Sequence, residues 1–149
     1  MQKNPKEKTI LTDVDGCLVD WNLVFRSWMN SNGYSSIKTN TGLIEDQYSL
    51  PTKQVRMLIT EFNKTDNIAS LPAFDDSVLY VKKLTELGYK FICITSIKKY
   101  KDAGLYWIED NIDQYNAGVQ VGLKSFYLNK NSLTTSWKEI YSRIKYDII

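Results

Sequence analysis

Thr9 to Thr12 is a short β-branched and apolar run that halts at Asp13, and Gly16 breaks any continuation as a strand. Downstream, Trp21, Val24, Phe25, Trp28 and Met29 recur at helical spacing. Asn32-Gly33 closes that helix, because glycine takes the left-handed conformation at C′. Tyr34 to Leu50 is rich in Ser, Thr, Asn and Gly and reads as a loop. Pro51 suits the first turn of a second helix, whose apolar stripe is Val55, Leu58, Ile59 and Phe62. Leu71-Pro72 marks the return from this helical insertion.

A third helix is expected from about Asp75 to Leu87, with Asp75 or Asp76 near its N-cap and Gly88 at C′. Tyr89 to Thr95 follows, and its unbroken apolar stretch is what a parallel strand covered on both faces looks like. Leu105 to Ile108 predicts a second such strand, ending in Glu109-Asp110. Asn111 to Gly118 reads as a short helix, Lys124 to Leu128 as a strand, and Ser136 to Tyr146 as amphipathic through Trp137, Ile140, Tyr141 and Ile144. Strands alternating with helices imply an α/β domain on a parallel sheet, whose ligands bind at the carboxyl ends of the strands. The polar residues gather at those ends: Asp13 and Asp15 after the first strand, Thr95 and Ser96 after the second, Glu109 and Asp110 after the third.

Composition narrows the chemistry. With 149 residues, 43% hydrophobic and 24% charged, the chain has the size of one domain. A net charge of +2 argues against an overall electrostatic nucleic-acid binder. There are no histidines, which removes Ser-His-Asp and Cys-His catalysis and His-ligated zinc. The two cysteines, Cys17 and Cys93, make neither a disulfide framework nor a zinc site. Free thiols, strand-sized apolar runs and a polar Met1 to Lys8 predict a cytoplasmic protein with no membrane span and no secretory signal.

Two aspartates one residue apart can face one pocket where the chain turns at Gly16. Clustered carboxylates repel, so a cation is expected among them, and all-oxygen ligands select a hard ion such as Mg²⁺. Asp110 would supply a third protein oxygen. Thr95 and Ser96 offer hydroxyl and N–H donors to a phosphoryl oxygen, and one carboxylate could act as nucleophile while its neighbour moves the proton. Each group has a plainer alternative: a turn at Asp13 and Asp15, a strand-to-helix cap at Thr95 and Ser96, a helix start at Glu109-Asp110. Trp21, Phe25 and Trp28 are either core or a base-stacking surface. Cys17 reads as a small packing residue.

Ile10-Leu11-Thr12-Asp13-Val14-Asp15-Gly16-Cys17-Leu18 resembles the first motif of the haloacid dehalogenase (HAD) superfamily, an apolar strand followed by DxDG. Ile92-Cys93-Ile94-Thr95-Ser96 resembles its second motif, and Trp107-Ile108-Glu109-Asp110-Asn111 its acidic fourth. Within the superfamily the chain is most similar to the 5′(3′)-deoxyribonucleotidase-like branch. The resemblance implies a HAD-like Rossmannoid parallel sheet with helices on both faces and a small helical cap inserted after the first strand. Residues 1–16 and 73–149 would form the core, and 17–72 the cap that covers the pocket. It implies an Mg²⁺-dependent phosphomonoesterase with Asp13 as nucleophile and Asp15 as acid/base. Mg²⁺ would sit on Asp13, the Asp15 carbonyl and Asp110, and the substrate would be a small phosphate ester, foremost a (deoxy)nucleoside monophosphate. Partners on this reading include neither membrane nor nucleic acid.

One departure stands out. The superfamily's third motif is a lysine or arginine carried on a further helix and strand between the second and fourth motifs. Here only Ile97 to Gly104 separate Ser96 from Leu105. Eight extended residues reach roughly 26 Å, enough to return but not to hold that unit. Lys98 is the nominee for the missing cation. The alternatives are a phosphatase for another small ester or a polynucleotide 3′-phosphate, or a HAD domain that binds metal or a partner without turnover.

Overall fold

The computed structural model describes residues 8–38, 43–94, 106–128 and 136–146. Four strands, β1 (Thr9–Thr12), β2 (Lys90–Cys93), β3 (Tyr106–Glu109) and β4 (Lys124–Tyr127), form an all-parallel sheet in the order β2-β1-β3-β4. The described residues also form six α-helices: α1 (Trp21–Ser31), α2 (Ile44–Tyr48), α3 (Thr52–Phe62), α4 (Asp75–Glu86), α5 (Ile112–Gln120) and α6 (Trp137–Tyr146). The protein is therefore α/β with a Rossmann-like sheet. Among the described residues no helix is long and apolar enough to cross a membrane.

Side chains alternate across the sheet, so successive residues serve opposite faces. Ile10, Tyr106 and Ile108 pack with Leu84 of α4 and with Trp137, Ile140 and Ile144 of α6. Leu11 and Trp107 point the other way and pack with Ala117 of α5, Leu123 and Ile94. All four residues of β1 and of β3 are buried, as strands covered on both faces must be.

Several expectations need correction. β2 is not enclosed: it pairs with β1 at one end of the described sheet, Ile92 is 37% exposed and Cys93 is exposed. An apolar run of four residues is compatible with an edge as well as a centre. The stretch Tyr34 to Leu50 is not all loop, because it contains α2, whose five residues are too few to display a helical period. Asp75 and Asp76 lie in the first turn of α4, not at its cap, which is Phe74. They are near the N-cap, as expected, and favour the helix through its dipole. Leu105, expected to open β3, lies outside the described residues.

The chain divides into two compact units, one made of the segments up to Val19 and from Ala73, the other of Asp20–Pro72. Residues Cys17 to Val19 thus belong with the sheet, where an antiparallel bridge joins Val19 to Ala73. The Asp20–Pro72 unit has its own core of Phe25, Met29, Tyr48, Leu58 and Phe62. Trp21 stacks on Phe25 at 4.5 Å between centroids, and Phe62 meets Phe25 edge-on at 5.2 Å. Trp21, Phe25 and Trp28 all pack within this core.

The α5 face depends on one close approach. A Cβ on Gly118 would lie 2.3 Å from Trp107 Cδ1 and 2.8 Å from Ser125 Oγ. Trp107 is fully buried and its indole N–H donates to the Gln114 carbonyl at 3.2 Å, so it has little freedom to retreat. Alanine would gain about 1 kcal/mol of helix propensity, against an overpacking cost of about 1–3 kcal/mol. The clash should win. Gly118→Ala is expected to lower the urea midpoint of unfolding, and an unchanged or raised midpoint would refute this packing.

Candidate active site

The chain leaves β1 for β2 on one side and later enters β3 on the other. The order of the sheet therefore reverses between β1 and β3, and the carboxyl ends of strands at such a reversal are where α/β sheets bind ligands in a crevice. Ladder pairing continues one residue past β1, since the Asp13 N–H donates to the Ile108 carbonyl at 3.0 Å. Asp13 is thereby set beside the residues that follow β3.

After Asp13 the backbone curls back. The Val14 carbonyl accepts from the N–H groups of Cys17, Leu18 and Val19 at 3.3, 2.8 and 3.1 Å, and the Gly16 N–H donates to the Val19 carbonyl at 2.9 Å. Gly16 is required twice over. Its φ of +83° is left-handed, and a Cβ there would fall 1.9 Å from Asp110 Oδ2. The Asp110 carboxylate rests directly against the bare Cα. From α6, the Trp137 indole N–H reaches the Cys17 carbonyl at 3.0 Å and pins the loop from inside the core.

These constraints gather a carboxylate oxygen of Asp13, one of Asp110 and the Cys17 sulfur within 4.8 Å of one another. Both aspartates are half-buried and Cys17 is fully buried. Burial pushes the Asp13 carboxyl up to about 6. The Val14 N–H works against this, and the charges of Asp110 and Asp15 add to it. Asp15, an exposed residue, is also raised by the desolvation its carboxyl still suffers.

Glu109 is only 2% exposed. Its Oε1 accepts from the N–H groups of Asp110 and Asn111, at 2.9 Å each, which holds the turn after β3. Burial raises its carboxyl strongly; the Asn111 N–H lowers it, while Asp13 and a side-chain hydrogen bond with Asp110 raise it further. A hydrogen bond between two carboxyls needs a proton on one of them. Helix α5 is capped by Asn111, whose Oδ1 accepts from Asp113 and Gln114 N–H groups.

Of the residues expected from sequence, Asp13 and Asp110 are brought together. The Asp15 carboxylate is not one of the three convergent donors, because the curl at Gly16 turns the chain after it. Thr95, Ser96 and Lys98 lie outside the described residues. Cys17 was expected only as packing. It does belong to the main core cluster, but its sulfur also borders both carboxylates, and no pattern along the chain signals that. Trp137 was read as core alone; its bond to Cys17 spans 120 positions.

Two half-buried carboxylates and a sulfur that converge this closely are chemically suited to a divalent cation, which would offset the desolvation that raises Asp13. No protein-family model matches this chain, and no curated protein matches it.

A pH dependence follows. The folded Asp13 carboxyl titrates near 6 against an ordinary 3.8, so its favourable contribution is complete below about pH 4 and disappears as pH rises through 6. In chelator, Asp13→Asn should melt higher than wild type at pH 8, with the difference narrowing as pH falls through 6 and closed by about pH 4. A gap that stays constant across this range would show that Asp13 is not electrostatically strained.

Proposed function

We propose that this chain is an Mg²⁺-dependent phosphomonoesterase of the HAD type, acting on small phosphate esters and foremost on (deoxy)nucleoside monophosphates. The observation that carries the reading is the convergence of Asp13 and Asp110 at the reversal point of the parallel sheet. The motifs around both residues resemble those of that superfamily, and the substrate class rests on the same resemblance. Asp13, the Asp15 carbonyl and Asp110 are the groups that would hold Mg²⁺, which supplies positive charge to offset carboxylate and phosphate.

On this reading an Asp13 oxygen attacks phosphorus as the bond from phosphorus to the ester oxygen breaks. The departing oxygen takes a proton from Asp15, whose raised pKa suits a general acid. Asp15 then accepts a proton from the water that attacks the aspartyl-phosphate, releasing phosphate and restoring Asp13. Desolvation that raises Asp13 in the metal-free protein is the strain that a cation would relieve.

One observation favours a second reading, a HAD domain that binds metal without turnover. Only twelve residues, 94–105, connect β2 to β3, and β2 is the end strand of the described sheet. That connection is the bare minimum for a parallel crossover and has no space for a further helix and strand.

Phosphate release from nucleoside 5′- and 3′-monophosphates and an aryl phosphate separates the two. Release should require Mg²⁺, stop in chelator, and fall by on the order of 10³-fold or more in Asp13→Asn, the scale on which losing a nucleophile acts. No release from folded protein that binds Mg²⁺ would overturn the phosphatase reading in favour of the second.

A further inference from the structure

The donors at the crevice are not all oxygen. Cys17 follows the curl at Gly16, and its sulfur lies within 4.8 Å of carboxylate oxygens from both Asp13 and Asp110. Mg²⁺ gains little from sulfur, whereas Zn²⁺ and Cd²⁺ bind thiolate together with carboxylate. The second cysteine of the chain converges on the same aspartate from another strand. Cys93 ends β2 in register with Thr12, directly beside Asp13. Its thiol is raised first by desolvation and then by the Asp13 charge. Thus both cysteines border Asp13, one buried and one exposed.

We propose that Asp13, Cys17 and Asp110 form a binding site for a thiophilic divalent cation, Zn²⁺ or Cd²⁺, with the Cys17 thiolate as the discriminating ligand. On binding, the Cys17 proton and any proton shared by the carboxyls pass to solvent, and the ion takes their place. Loading by such an ion occupies Asp13, the group nominated as nucleophile. The site therefore acts as an inhibitory metal switch, a consequence that rests on the proposed function, whereas the binding itself does not.

Cd²⁺ titration of the metal-free protein tests this, read by thiolate-to-cadmium charge-transfer absorption and by equilibrium dialysis. Wild type and Cys93→Ser should show a saturable band. Cys17→Ser and Cys17→Val should lose it and bind Cd²⁺ at least about tenfold more weakly, equivalent to about 1.4 kcal/mol. The valine variant keeps an apolar side chain in the core, and melting curves establish that each variant is folded. A band that persists in folded Cys17→Val, or equal Cd²⁺ affinity in all variants, would overturn the proposal. Excess Mg²⁺ should weaken Cd²⁺ binding if both use the same carboxylates. A Cys17-dependent band in protein that neither binds Mg²⁺ nor releases phosphate would leave this inference standing and remove the phosphatase reading.

Discussion

The hydrogen bond from the Asp13 N–H to the Ile108 carbonyl is the constraint from which the site follows. Parallel pairing of β1 with β3 brings Thr12 opposite Ile108, and this bond carries the pairing one residue further. Asp13 therefore cannot splay away from the turn that holds Asp110. Two carboxylates on separate strands would ordinarily relax apart into solvent. Here the ladder on one side and the bare Cα of Gly16 on the other deny them that freedom. Burial, with the Asp110 charge adding to it, therefore raises the proton affinity of Asp13.

The surroundings keep that repulsion effective. β1 and β3 are buried along their whole length, and the crevice is floored by low-dielectric core, in which charges interact more strongly than in water. Glu109 contributes in a different way. Its buried carboxyl bridges the first backbone N–H groups of the turn after β3, so it organises Asp110 rather than facing the crevice.

Much of this arrangement was legible in the amino-acid order. The β-branched run at Thr9–Thr12, the stripe of α3 and the Asn111 region each announced an element within a residue or two of its observed bounds. Asp13 and Asp110 stood out because acids at strand ends are costly without a purpose. What the order could not convey is which strand lies outermost. Exposure of Ile92 depends on what sits beyond β2, not on β2 itself. Nor could it convey that the Cys17 sulfur meets two carboxylates, because that depends on a left-handed turn at Gly16 combined with an indole from α6. Those are non-local agreements, invisible to any window of neighbouring residues. Thr95, Ser96 and Lys98 lie outside the described residues.

The bond from Trp137 to the Cys17 carbonyl also has a consequence in time. The acidic loop is synthesised first, and the indole that fastens it is added 120 residues later. At about 5–20 residues per second, the nascent chain carries that loop unfastened for on the order of 10 s. During this interval Cys17 lacks both its indole anchor and the core that buries it. Translation speed thus sets how long a thiol destined for the interior stays open to oxidants or stray metal ions before α6 closes over it.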